Sequence, residues 1–265
     1  MSSSATPGDT PREPGPHSDG APARDVQDRR RAERRRDEKQ GKPWYIEIPM
    51  LIVIALALVF VFQTFVGRVY RIPSESMQPT LYGCAGCTGD RIFVDKITYD
   101  FGEPEQGDVV VFKGPDSWNS GYRSIRSDNP VIRTLENAGA VIGVVPPDEN
   151  DLVKRVIAVG GQTVGGCSPE GHLLVDGKPL TEPYLHEDPA INRNPLNCAF
   201  GPVTVPEGNV WVMGDNRNNS ADSRFHMGDE YQGTVPVDNV IGKVRAIILP
   251  LNRIGGVDSP DIAVG

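Results

Sequence analysis

At 265 residues and 38% hydrophobic content, the chain suits a globular body of one large domain or two small ones. Its formal charge is −8, yet residues 1–45 hold ten Arg/Lys against eight Asp/Glu, leaving residues 46–265 at −10. That acidic body would repel phosphate, which argues against a nucleic-acid partner despite the basic run.

Residues 1–45 are Ser, Pro, Gly and charge, with almost nothing to form a core, and are expected to be a disordered tail. Ile48 to Gly67 is a run of twenty residues without a charge. As a helix it would rise about 30 Å, the thickness of a bilayer's hydrocarbon core. Trp44 and Tyr45 stand where interfacial aromatics would. The run sits far from the N-terminus, and Phe65-Val66-Gly67 offers no small-x-small cleavage site. The expectation is a retained transmembrane anchor over residues 46–67. Arg29–Arg31, Arg34–Arg36, Lys39 and Lys42 outnumber Arg68 and Arg71, which places the tail in the cytoplasm and residues 68–265 outside. Val240–Leu251 is too short for a second span and is broken by Lys243 and Arg245.

Beyond Gly67 the pattern is of short strands: Arg91–Val94, Asp108–Lys113, Val153–Val159, Leu173–Val175, Val210–Met213 and Val240–Leu249. Asp176-Gly177, between Leu173–Val175 and Lys178–Leu180, is a two-residue hairpin signal. A mainly β domain is expected, with insertions near 114–150 and 168–205. The first carries a candidate helix from Pro130 to Ala138, and the second a Pro/Asn-rich loop at 183–202.

The four cysteines, Cys84, Cys87, Cys167 and Cys198, all lie in the outer part, where an even count reads as two disulfides. Three pairings are open, of which Cys84–Cys87 with Cys167–Cys198 is the most economical. A zinc site usually needs a second close pair, and Cys167 and Cys198 are far apart.

Three segments could carry chemistry. Ser74 and Ser76 are boxed between Pro73 and Pro79, which stiffen the backbone on both sides. Lys154 opens an apolar strand, where burial would lower its pKa and make it a usable base. Met213–Arg224 is a dense polar loop after a strand. It fails as a calcium loop because Arg217 takes a ligand position and His226 stands where the closing Glu should be. Asn218-Asn219-Ser220 also fits a glycosylation sequon, a pattern too short to weigh. The loop is better suited to orienting another site.

In this order the segments resemble the bacterial type I signal peptidase family. Its Pro-Ser-x-Ser-Met-x-Pro-Thr-Leu box is matched by Pro73–Leu81, its Gly-Asp-x-Val-Val-Phe box by Gly107–Phe112, and its Lys-Arg-Val box by Lys154–Val156. Gly214–Arg224 matches the last box. The Cys84–Cys87 pair resembles members from high-GC Gram-positive bacteria. The resemblance implies a β-rich catalytic domain of antiparallel sheets and a membrane-bound serine endopeptidase without metal or organic cofactor. It would cut signal peptides from exported preproteins after Ala-x-Ala-like sites, beside membrane lipid and close to the secretion translocon. By the same resemblance Ser76 is the nucleophile and Lys154 the general base. Ser74 and the Ser76 N–H form the oxyanion hole, and Ser220 holds the Lys154 amine. Asp215, Asp222 and Arg224 brace the loop, and Arg155 is structural. Two positions depart from the family: Asn218 stands where Asp is common, and Gly160-Gly161-Gln162 replaces Pro-Gly-Asp.

Two other readings compete. A self-cleaving Ser–Lys protease of the SOS-repressor type fits less well, given the anchor and no DNA-binding N-domain. A membrane-tethered thiol–disulfide oxidoreductase using Cys84-Ala-Gly-Cys87 lacks its βαβ context.

Overall fold

The computed structural model describes residues 29–31, 43–84, 86–118, 126–141, 151–185, 197–260 and 262. The tail expected over residues 1–45 lies almost wholly outside them. Helix α1 (Trp44–Val61) continues as a single π-helical turn, Phe62–Val66. Together they form 23 residues, with an 18-residue stretch of mean hydropathy 2.6, long and apolar enough to cross a bilayer. None of their side chains is buried. A helix this apolar with no buried side chain has the character of a membrane span, since a core helix would hide its apolar faces.

Chain order then gives β1 (Gly67–Arg71), β2 (Arg91–Asp95), β3 (Val109–Lys113), helix α2 (Pro130–Val141), β4 (Asp151–Val159), β5 (Thr163–Cys167) and β6 (Leu173–Val175). After these come β7 (Lys178–Pro179), β8 (Val203–Thr204), β9 (Asn209–Met213), β10 (Val235–Pro236), β11 (Val240–Leu249) and β12 (Gly255–Gly256). An eight-stranded sheet runs β1-β2-β11-β3-β4-β9-β10, with β12 also paired to β11. A four-stranded sheet runs β7-β6-β5-β8. Every pairing is antiparallel.

Strand β3 is apolar at consecutive positions because both its faces are covered. Val109 and Val111 pack with Met77, Leu81 and Ile92, while Val110 and Phe112 pack with Trp118, Val156 and Val212. A third cluster joins the small sheet to β4 and β9 through Ile157, Leu173, Val175, Trp211 and Met213. Each such side chain contributes roughly 1.5–3 kcal/mol on full burial. These clusters hold β4 rigid, and β4 carries Lys154.

The hairpin forms as expected, with φ of 51° at Asp176 and 75° at Gly177, the two left-handed positions that its turn requires. Helix α2 forms too, running to Val141. Other segments depart from the expectation. Residues 67–71, read as anchor end and spacer, are a strand paired with β2 along its whole length. The 168–205 segment is less of an insertion than it looked: Leu173, Val175, Leu180, Tyr184, Cys198 and Val205 all belong to the third cluster. Likewise Trp118, at the start of the 114–150 segment, is buried against Phe112. Residues 186–196 of the second segment lie outside the described residues. The structure joins Cys84 to Cys87 and Cys167 to Cys198.

Candidate active site

The Pro73–Leu81 segment hangs between β1 and the loop that leads to β2. Met77 and Leu81, at 1% and 0% exposure, root it in the core. Leu81 N–H donates to Met77 O at 2.9 Å, closing a turn that leaves Ser74 and Ser76 at its outer end. From the opposite side β4 brings Lys154, whose Nζ lies 2.8 Å from Ser76 Oγ. The two residues are 78 apart in sequence, and both are buried. Ser74 Oγ is 3.2 Å from Ser76 Oγ. The Ser76 N–H donates no hydrogen bond among the described residues, so it is open to an anionic oxygen.

Burial is the largest influence on Lys154 and pushes its pKa down to about 8; Asp222 and Asp215 oppose the shift, and Arg224 adds to it. A lysine in this state exchanges its proton near neutral pH, and a neutral amine can accept the proton of a neighbouring hydroxyl. Ser76 and Lys154 thus have the geometry and the basicity of a nucleophile–base pair.

Consecutive residues of a strand project to opposite faces, so Arg155 points away from Lys154. Its guanidinium donates Nε to Asp215 Oδ1 at 2.9 Å and Nη2 to Asp215 Oδ2 at 2.7 Å, with both side chains buried. Further bonds run from Arg155 to Gly107 O and Asp258 O, and the guanidinium lies 4.0 Å over the Tyr184 ring. Thr80 Oγ1 also donates to Asp215. The serine-bearing segment, β4 and the polar loop are thereby fastened at one carboxylate.

Within the loop, Arg224 donates Nε and Nη2 to Asp222 at 2.8 and 2.9 Å, and Gly214 N–H adds a bond of 3.0 Å. Burial alone would raise the pKa of Asp222, but these bonds outweigh it and hold the carboxyl below its usual range. The loop also grips the nucleophile's backbone: Asn216 N–H donates to Ser76 O at 3.1 Å and Asn216 Nδ2 to Glu75 O at 3.2 Å.

One expected contact is not formed. Ser220 is buried beside Gly214, where a Cβ on the glycine would lie 2.2 Å from Ser220 Oγ. Lys154 Nζ donates to Ser76, and no bond joins it to Ser220 among the described residues. The site also contains residues that the sequence did not single out. Arg217 pairs with Glu182 in the interior, and Tyr184 donates to Glu182 at 3.0 Å. Arg217 lies within the Gly214–Arg224 box, so position was its one signal, whereas Glu182 had none. His226 stacks on Trp118 with centroids 4.3 Å apart and is not a hydrogen-bond partner of Ser76.

The sequence is similar to known proteins. Residues 45–249 match the family described as signal peptidase, peptidase S26. The chain is 56% identical to the probable signal peptidase I of Mycobacterium leprae, covering 84% of this chain and 81% of that one. It is 59% identical to a signal peptidase I of Mycobacterium tuberculosis, covering 80% and 75%. The signal peptidase I P of Bacillus subtilis subsp. natto is 31% identical over 82% of this chain and 96% of its own.

Proposed function

The chain belongs to the signal peptidase family, peptidase S26, and from that premise we propose that its buried Ser76–Lys154 pair performs the hydrolysis. The protein is a serine endopeptidase that removes signal peptides from exported preproteins. A single observation carries the assignment of roles: a lysine with its pKa brought down to about 8 by burial lies 2.8 Å from a serine hydroxyl.

In the proposed mechanism, neutral Lys154 takes the Ser76 proton as Oγ attacks the carbonyl carbon of the last residue of an Ala-x-Ala-like sequence. The Ser74 hydroxyl and the Ser76 N–H donate to the tetrahedral oxyanion, whose charge develops in the transition state. The Lys154 ammonium then protonates the leaving amine as the C–N bond breaks, leaving an acyl ester on Ser76. Lys154 next deprotonates a water that attacks this ester and returns the proton to Ser76 Oγ. Arg155, Asp215, Asp222 and Arg224 act at one remove, holding β4 and the loop around the pair. Ser220, buried in the same loop, would hold the amine through its hydroxyl.

Residues 46–67 would cross the cytoplasmic membrane once, with the tail inside and residues 68–265 outside, next to lipid and to preproteins leaving the translocon. The self-cleaving repressor and the thiol oxidoreductase are not favoured, because matches to signal peptidases run across most of the chain. The test is to incubate the detergent-solubilised protein with a preprotein bearing an Ala-x-Ala site, beside Ser76→Ala. Cleavage by the parent alone supports the assignment. Cleavage by both, or by neither, overturns it.

A further inference from the structure

The junction between the apolar helix and the catalytic sheet has no slack. The π-helical turn ends at Val66 and β1 begins at Gly67. The Phe62 ring stacks on Phe93 of β2, with centroids 6.3 Å apart. Lys96, just beyond β2, donates from Nζ to Thr64 O at 2.7 Å and from its backbone N–H to Val66 O at 3.1 Å. These carbonyls belong to the last turn of the helix, where no later turn can satisfy them and a cation is favoured.

Gly67 completes the fit. Its backbone is extended, with φ −176°, so any residue could adopt it, and the reason for glycine is space. A Cβ there would lie 2.5 Å from Phe93 Cζ and 2.7 Å from Val94 O. From Gly67 the chain stays paired: β1 matches β2 from Gly67 with Asp95 to Arg71 with Arg91, and Ile72 N–H donates to Asp90 O at 2.9 Å. Ser76 follows nine residues after Gly67, so it sits within about 30 Å of the helix end. A tether needs none of this. A flexible four-residue linker would let its ends wander by about 11 Å.

We infer that Gly67, Phe93 and Lys96 are positioning residues that fix the height of Ser76 above the bilayer and so select which bond of a membrane-inserted signal peptide is cut. This inference rests on the peptidase activity and membrane anchorage proposed above. The substrate it favours is a preprotein whose Ala-x-Ala site lies at a set distance from its own apolar segment.

The test uses the full chain in proteoliposomes with three substrates: a soluble Ala-x-Ala peptide, a preprotein with its natural spacing, and the same preprotein with the site moved outward by four residues. Two variants are compared with the parent: a Gly-Ser-Gly-Ser insertion between Val66 and Gly67, and Lys96→Met. The parent should cut the displaced site about tenfold more slowly than the natural one, since a misplacement of even 1 Å can cost a hundredfold. Both variants should cut the soluble peptide at the parent's rate. The insertion should bring the ratio of displaced to natural cleavage close to one, with Lys96→Met moving it the same way. An unchanged ratio in the insertion variant, with peptide cleavage intact, overturns the inference and leaves the peptidase reading standing. Loss of peptide cleavage in both variants also overturns it, because the junction would then serve the fold. A parent that cuts no substrate overturns the peptidase reading and the inference with it.

Discussion

Burial of Lys154 makes the enzyme's pH dependence a quantitative matter. With a pKa of about 8, about one lysine in ten is neutral at pH 7, half at pH 8 and nine in ten at pH 9. Activity should therefore rise about fivefold from pH 7 to 8 and level off above 9. A lysine left at 10.5 would offer about 300-fold less neutral amine at pH 7, so desolvation supplies most of the available base. The assay is kcat/KM on a soluble peptide between pH 6 and 10. Asp222→Asn sharpens it. The Asp222 carboxylate holds the Lys154 pKa up against desolvation, so removing its charge should move the inflection below that of the parent. The position of the inflection is the readout, because loosening the loop will also lower the plateau. A flat profile between pH 7 and 9, an inflection near that of a free histidine, or an upward shift in Asp222→Asn would refute the reasoning.

The same burial has a cost in stability. Below pH 8 both folded and unfolded lysine are protonated, and the folded state bears the buried charge, at about 3 kcal/mol for a shift from 10.5 to about 8. As pH rises from 8 to 10.5 the folded lysine loses its proton first, and that cost disappears. Lys154→Met should thus be inactive but unfold at higher temperature in detergent at pH 7, with an advantage that fades by pH 10.5; a constant advantage would contradict this. Asp215→Asn leaves the Arg155 guanidinium buried without its counter-charge and should cost about 3–5 kcal/mol in thermal unfolding. The Cys167–Cys198 bond closes a separation of 31 residues, so removing both thiols should cost about 3–4 kcal/mol. Non-reducing peptide mapping should recover that pair, and a Cys84–Cys167 link would show the pairing wrong.

What the sequence disclosed follows from the range of each interaction. The Asp176-Gly177 turn was legible because its backbone demand is met by two adjacent residues. The apolar helix was legible because its signal is cumulative over a single run. Ser76 and Lys154 could be paired only through the resemblance, since no local pattern links positions 78 apart. Glu182 was not legible. It lies in a Pro-rich stretch, and its partner Arg217 is reached only after the chain passes through β8 and β9. Strand β1 was missed because five residues between an apolar run and Pro73 show too little alternation, and its pairing is specified by β2. The Ser220 contact marks the opposite case. The resemblance supplied a hydrogen bond from Ser220 to the Lys154 amine, whereas in the folded chain that amine donates to Ser76.

The most direct measurement concerns which residue acts as the base. A histidine is the ordinary base for a serine protease, and His226 is the serious competitor, lying just beyond the Asp222–Arg224 box. It stacks on Trp118, and burial pushes its pKa down, which would keep it neutral and chemically able to serve if it reached Ser76. Preprotein cleavage should be compared for the parent, Lys154→Ala and His226→Ala, with circular dichroism to establish that each is folded. Lys154→Ala should fall to background while His226→Ala keeps most of the activity. Normal cleavage by folded Lys154→Ala, with a dead His226→Ala, would contradict the Ser76–Lys154 mechanism outright.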